Sequence, residues 1–184
     1  MGSRAPAAAC RGLAKALFLE DPPLFFADPT VFEGTLYPKL FAMLRDVISE
    51  MRAADAPFEA YLDLARNTPS PMGGVAGDHT TPRQLQSRAL QLQSFDPVVL
   101  DGAIDGTLFD CLDPRRPIDR PLTVLAANEA YGAAFLGGDD ERLHRHSPHA
   151  EVVSFPEVGH SIKSSTVSEA RFADLLDGFV TAHA

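Results

Sequence analysis

Cysteine is nearly absent: Cys10 and Cys111 are the only two in 184 residues. No spacing pattern pairs them, so they read as reduced thiols of a cytoplasmic protein. Positive charge is also short. Sixteen Lys and Arg face 25 Asp and Glu, a net charge of −9. Phosphate recognition needs a surplus of Lys and Arg on some face, so this balance excludes a nucleic-acid partner, and Arg115-Arg116 reads as solvated surface. No apolar run approaches the length that crosses a bilayer. The nine residues before Cys10 are too few for the apolar core of a signal peptide, and Pro6 stands where a myristoylation signal has Ser or Thr. Phosphate loops are missing too. Gly137-Gly138 and "MGGVAG" have neither the Lys-Ser/Thr that follows such a loop nor G-x-G-x-x-G spacing. No internal repeat is found, and the length suits one domain with a sizeable core.

What is present alternates between strand and helix. An alanine-rich, helix-permissive stretch (5 to 14) runs into Ala16 to Leu19, a short apolar run stopped by Glu20-Asp21-Pro22-Pro23. Such a run is the mark of a strand buried on both faces. From 36 to 66 apolar residues recur at helical spacing: Leu36, Leu40, Met43, Leu44, Val47, Ile48 and Met51, then Phe58, Tyr61, Leu62 and Ala65. A Pro/Gly/Ser/Thr-rich loop covers 67 to 82, and helical spacing resumes at Leu85, Ala89, Leu90 and Leu92. "PLTVLAA" (121 to 127) and "AEVVSFP" (150 to 156) are two further strands, with a helix over 138 to 146 between them. Thr166 and Glu169 read as a capping box before a terminal helix striped by Phe172, Leu175, Leu176, Phe179 and Val180. The expected class is α/β, a parallel sheet with helices on its faces. The excursion between the first two strands exceeds an ordinary crossover and is expected to sit as a lid over one end of the sheet. The chain divides into 1–23 (start of the core), 24–118 (helical cap) and 119–184 (C-terminal core).

The stretch "SFPEVGHSIKSS" (154 to 165) carries the candidate chemistry. Gly159-His160-Ser161 begins like G-x-S-x-G, the elbow that presents a nucleophilic serine on a crowded strand-to-helix turn. Lys163 stands where the second small residue belongs, and only His183 follows as a base, so Ser161 does not fit that role. His160, on a loop leaving the last strand and preceded by Gly159, fits a general base, or else an idle surface-loop histidine. His144, His146 and His149 lie near Asp139, Asp140 and Glu141 and weigh as metal ligands, but a two-residue spacing on a helix makes the first two diverge. Phe25, Phe26, Phe32 and Phe41 read as a cap core or as walls of an apolar pocket.

Three segments in order resemble the C-terminal half of an α/β-hydrolase. "KALFLEDPPLF" looks like its sixth strand and exit loop, "RPLTVLAANEAYGAAF" like its seventh strand and acid-bearing loop, and "SPHAEVVSFPEVGHSIK" like its eighth strand and catalytic-histidine loop. The resemblance implies a truncated α/β-hydrolase-like sheet with an inserted helical cap and His160 as catalytic base. Asn128 occupies the position of the family's acid. Glu129, next to it, is the first choice to orient His160, and Asp21 is the alternative. No G-x-S-x-G occurs in the sequence, and Met1-Gly2 looks like the continuation of an elbow reading S-M-G. Ser3 would be a weak nucleophile on a free end. The nucleophile would then come from a longer reading frame or a second chain. The implied activity is hydrolysis of a small apolar ester or related bond, with a small-molecule substrate and no cofactor. Self-association or pairing through an exposed sheet edge is expected. The competing expectation is a catalytically inactive binding or partner subunit.

Overall fold

The computed structural model describes residues 14–111, 113 and 115–184. The expected first helix, Ser3 and Cys10 lie outside these residues, residue 14 excepted. Three parallel strands form one sheet in the order β1 (Leu17–Glu20), β2 (Leu122–Ala127), β3 (Glu151–Phe155). Leu17 stands opposite Leu122, and Thr123 opposite Glu151. The chain is thus of the α/β class.

Strand alternation sends the side chains of β2 to two different cores. Leu122 and Val124 face Phe25, Phe135, Leu143 and Ala150, while Leu125 faces Phe155, Val158, Ile162, Phe172 and Leu175. Leu143 belongs to α6 (Asp139–His146), and Phe172 and Leu175 to α7 (Glu169–His183). One helix therefore covers each face. Val124, Leu125 and Phe155 are 0% exposed, each worth about 1.5–3 kcal/mol relative to exposure. β1 was expected to be buried on both faces, yet its four residues are only partly buried. Among the described residues it has one sheet neighbour, β2, so its outer edge is open.

Between β1 and β2 lies the long excursion, in which five α-helices are joined by loops among the described residues: α1 (Pro29–Glu33), α2 (Tyr37–Ala53), α3 (Phe58–Asn67), α4 (Pro82–Ser94) and α5 (Val99–Ile104). Local chemistry starts two of them. Asp28 accepts from Thr30 N at the head of α1 and Thr81 accepts from Gln84 N at the head of α4, each followed by Pro at the first helical position. α3 and α4 hold a small core of their own, Tyr61, Ala65, Leu85 and Ala89. A second cluster, Phe26, Phe32, Tyr37, Phe109 and Ala134, fastens α1 and α2 to the loop after β2.

Two readings of the sequence need correction. The Thr166–Glu169 capping box does not form. The Thr166 N–H instead bonds His79 O at 3.0 Å, and α7 begins after Ser168, whose hydroxyl donates to Ile162 O. Met43, Leu90 and Val180, counted on apolar stripes, are exposed, because each stripe is narrower than its leucine and valine content suggests. Among the described residues no helix is long and apolar enough to cross a membrane.

Candidate functional site

Loops leaving the carboxyl ends of parallel strands gather at one edge of the sheet, where α/β proteins most often place ligands. Here three meet: Asp21 directly after β1, Asn128-Glu129 directly after β2, and Gly159-His160 after β3. The His160 loop is held from several sides. Asn128 N donates to Val158 O at 2.8 Å. Lys163 bonds Glu20 through both its backbone N–H (2.8 Å) and its ammonium (3.0 Å). Thr80 and Ser165 form an antiparallel bridge that ties the cap to the segment just past the histidine. Gly159 is dictated by space, since a Cβ there would collide with the carbonyl oxygen of Tyr131.

The carboxylate that reaches His160 is Asp21, with Oδ2 2.8 Å from Nδ1. Asp21 is 0% exposed and accepts three backbone N–H groups as well: Ala134 at 2.7 Å, Phe135 at 3.1 Å and Ala127 at 3.3 Å. With donors on every side, its oxygens act as acceptors. Nδ1 of His160 therefore carries a proton toward Asp21, and in its neutral form the ring presents the Nε2 lone pair on the opposite edge. Holding this geometry puts Asp21 at φ 41°, in the left-handed region that Asp tolerates better than most residues. Such local strain persists where the surroundings over-determine it.

Tyr37, the first residue of α2, packs edge-on against the His160 ring at 5.8 Å between centroids and donates its hydroxyl to Gly132 O at 2.9 Å. Burial, reinforced by the Asp21 charge, pushes its phenol far above the ordinary value, so it acts only as a proton-bearing donor. Gly132 accepts this bond from a left-handed turn, φ 81°.

Glu129, the first choice from the sequence, is engaged elsewhere: its Oε2 accepts Gly137 N at 3.0 Å. Asn128 is a structural cap. Its Oδ1 accepts Ala130 N at 2.9 Å, opening the 3-10 turn Glu129–Tyr131, and its amide donates to Pro156 O. Neither has a hydrogen bond to His160. The acid position next to β2 lost out because the chain there turns at once into that 3-10 helix, while Asp21 leaves β1 aimed at the imidazole. Ser161 is exposed and opens the 3-10 turn Ile162–Ser164, six residues past the end of β3, so no strand-to-helix elbow surrounds it.

Two of the three clustered histidines have structural partners, and the third, His146, is exposed. His144 Nδ1 meets both Asp140 Oδ1 at 2.6 Å and Asp140 O at 2.9 Å, its Nε2 meets Ala150 O at 2.8 Å, and His149 binds Arg120 O at 2.8 Å. Among the described residues no group of three or more His, Cys, Asp or Glu converges as a metal centre would.

A cavity of about 300 Å³ opens where the helical excursion meets the sheet edge, with His160 in its wall. Leu36, Leu40, Pro71, Met72 and Val158 give it apolar sides, and Arg88 of α4 reaches it from the helical excursion. The weighed phenylalanines do not line it; Phe25 belongs to the sheet core, and Phe26, Phe32 and Phe41 to the aromatic cluster. Tyr37 and Arg88 escaped the sequence reading. Arg88 had left one trace, a charge beside the apolar stripe of Leu85, Ala89 and Leu92. Comparison with protein-family models, with curated proteins and with solved structures finds no match.

Proposed function

We propose that this chain carries the base, the acid and the capped substrate cavity of an α/β-hydrolase-type enzyme, acting on a small apolar ester or related bond. One observation carries the reading. A buried carboxylate, Asp21, holds the imidazole of His160 at 2.8 Å in the wall of an apolar cavity at the carboxyl ends of parallel strands. In this role Asp21 fixes the tautomer of His160 and balances the charge that develops on it. Nε2 takes a proton from an attacking hydroxyl and then returns it to the leaving group. Tyr37 restrains the ring from its side. The helical excursion is the cap, which excludes water and shapes the cavity, and Asp21 replaces Glu129 as the acid. The attacking hydroxyl comes from a strand segment that pairs with the open edge of β1, in the same polypeptide or in a second one.

The test is ester hydrolysis by the longest in-frame form of the protein, using p-nitrophenyl butyrate. His160→Gln is expected to lower kcat by about 10²–10⁴-fold, the usual worth of a positioned acid–base group. Turnover unchanged in that variant sinks the reading. A second reading, a catalytically inactive binding or partner subunit, is favoured by one fact: among the described residues Nε2 of His160 has no hydrogen-bonded hydroxyl or thiol. Ligand binding with no ester turnover in any form of the protein selects it.

A further inference from the structure

Among the described residues, arginine side chains are paired wherever they are drawn inward, with one exception. Arg45 meets Asp46 and Asp101, and Arg142 meets Asp139 and the face of Phe25. Arg88 is also partly buried, yet it has no carboxylate, carbonyl or aromatic partner among the described residues. Burial alone draws its guanidinium below the ordinary value, with no carboxylate pulling it back. A desolvated cation is costly unless something negative meets it.

The surroundings of Arg88 point the same way. In a chain of net charge −9, neither Asp nor Glu lines the cavity; the ionisable groups in its wall are Arg88, His79, His160 and two tyrosines. A guanidinium offers a planar fork that matches a carboxylate with two parallel hydrogen bonds. The hydroxyl-bearing Ser70 and Thr80 share the wall with the apolar residues already named. At about 300 Å³ the space sits at the low end for small-molecule sites, enough for a short apolar stem and not for a long lipid chain.

We propose that Arg88 is the anchor for a carboxylate on the ligand, so that the cavity selects small, singly anionic molecules with a short apolar stem. For the identity of the bond cleaved, a carboxylate-bearing ester, this rests on the hydrolase reading; for anion binding it does not. The anchor lies on the cap and the base on the sheet, so a molecule held by its carboxylate lays its stem along the apolar wall between them.

The experiment is a binding titration of the chain with sodium hexanoate and with 1-hexanol, followed by NMR at the Arg88 side-chain N–H and by calorimetry. Charge-assisted hydrogen bonds predict that hexanoate binds about tenfold or more tightly than the alcohol. In Arg88→Gln that ratio is expected to fall to about one through loss of hexanoate affinity, and in His160→Gln the ratio is expected to persist. Equal affinities in the native protein, or a ratio that survives in Arg88→Gln, or one that collapses only in His160→Gln, overturns the proposal. Should Arg88→Gln fail to fold, the native Arg88 resonance decides: it must shift with hexanoate and not with hexanol. Because no turnover is measured, loss of the hydrolase reading leaves this result standing, and the reverse holds equally.

Discussion

Replacing Asp21 with asparagine removes one acceptor oxygen and puts an NH2 in its place, at a site that is 0% exposed and surrounded by donors. Two orientations are available, and both are costly. With the NH2 where Oδ1 now sits, it opposes the N–H groups of Ala127 and Phe135. Two buried donors lose their partner, at about 1–3 kcal/mol each. With the NH2 where Oδ2 sits, only the Ala134 N–H is orphaned, at about 1–3 kcal/mol, but the amide now donates to Nδ1 of His160. The second orientation is the cheaper, and it forces the imidazole proton onto Nε2. Asp21→Asn should therefore lower Tm by roughly 2–12 °C, taking about 2–4 °C per kcal/mol for a chain of this size. It should also move the ring to the opposite tautomer, read from long-range nitrogen-15 correlations of His160. If His160 acts as the proposed base, kcat should fall with the tautomer, since the ring is then protonated at the atom that must accept. A variant with unchanged Tm and the original tautomer would refute the argument that Asp21 sets both the stability and the proton position of this site.

Two further outcomes are expected. Gly159→Ala should destabilise the fold by about 1–3 kcal/mol in denaturant melts, because its methyl meets the Tyr131 backbone carbonyl, which cannot rotate away; wild-type stability would mean the two loops are not in contact. His144, whose two nitrogens meet the Asp140 and Ala150 carbonyls, is drawn above the ordinary imidazole value by those bonds. A raised value means the protonated form stabilises the fold. That contribution is complete below the ordinary imidazole value and is lost as pH rises through the higher folded one. His144→Gln should thus lose more Tm at about pH 5.5 than at about pH 8.5, and a pH-independent difference would contradict the sign.

The sheet and most helices were legible because their causes are local. A run such as "LTVLAA" has no competing period, and Pro22-Pro23 ends β1 whatever the rest of the chain does. The cap was legible as helical for the same reason. The acid was not. Glu129 and Asp21 lie at equivalent places in the sequence pattern, each at the end of a strand, and the choice between them depends on where the backbone goes next. Asn128 caps a 3-10 turn that carries Glu129 to Gly137, while Asp21 takes a left-handed φ that turns its side chain under the loop bearing Ala134 and Phe135. Tyr37 was invisible because its role comes from a residue 95 positions away, Gly132. The capping box at Thr166 failed for a similar reason, since the cap claims that backbone N–H through His79.

The two-residue stitch between Thr80 and Ser165, with the bond from Thr166 to His79 beside it, sets a mechanical condition on the molecule. Roof and base share one seam. Any swing of the helical layer wide enough to admit a bulky guest would tug on the very segment that carries the imidazole, unseating it from its aspartate. A guest that needs more room than the closed seam leaves would therefore disturb the histidine's loop as it entered.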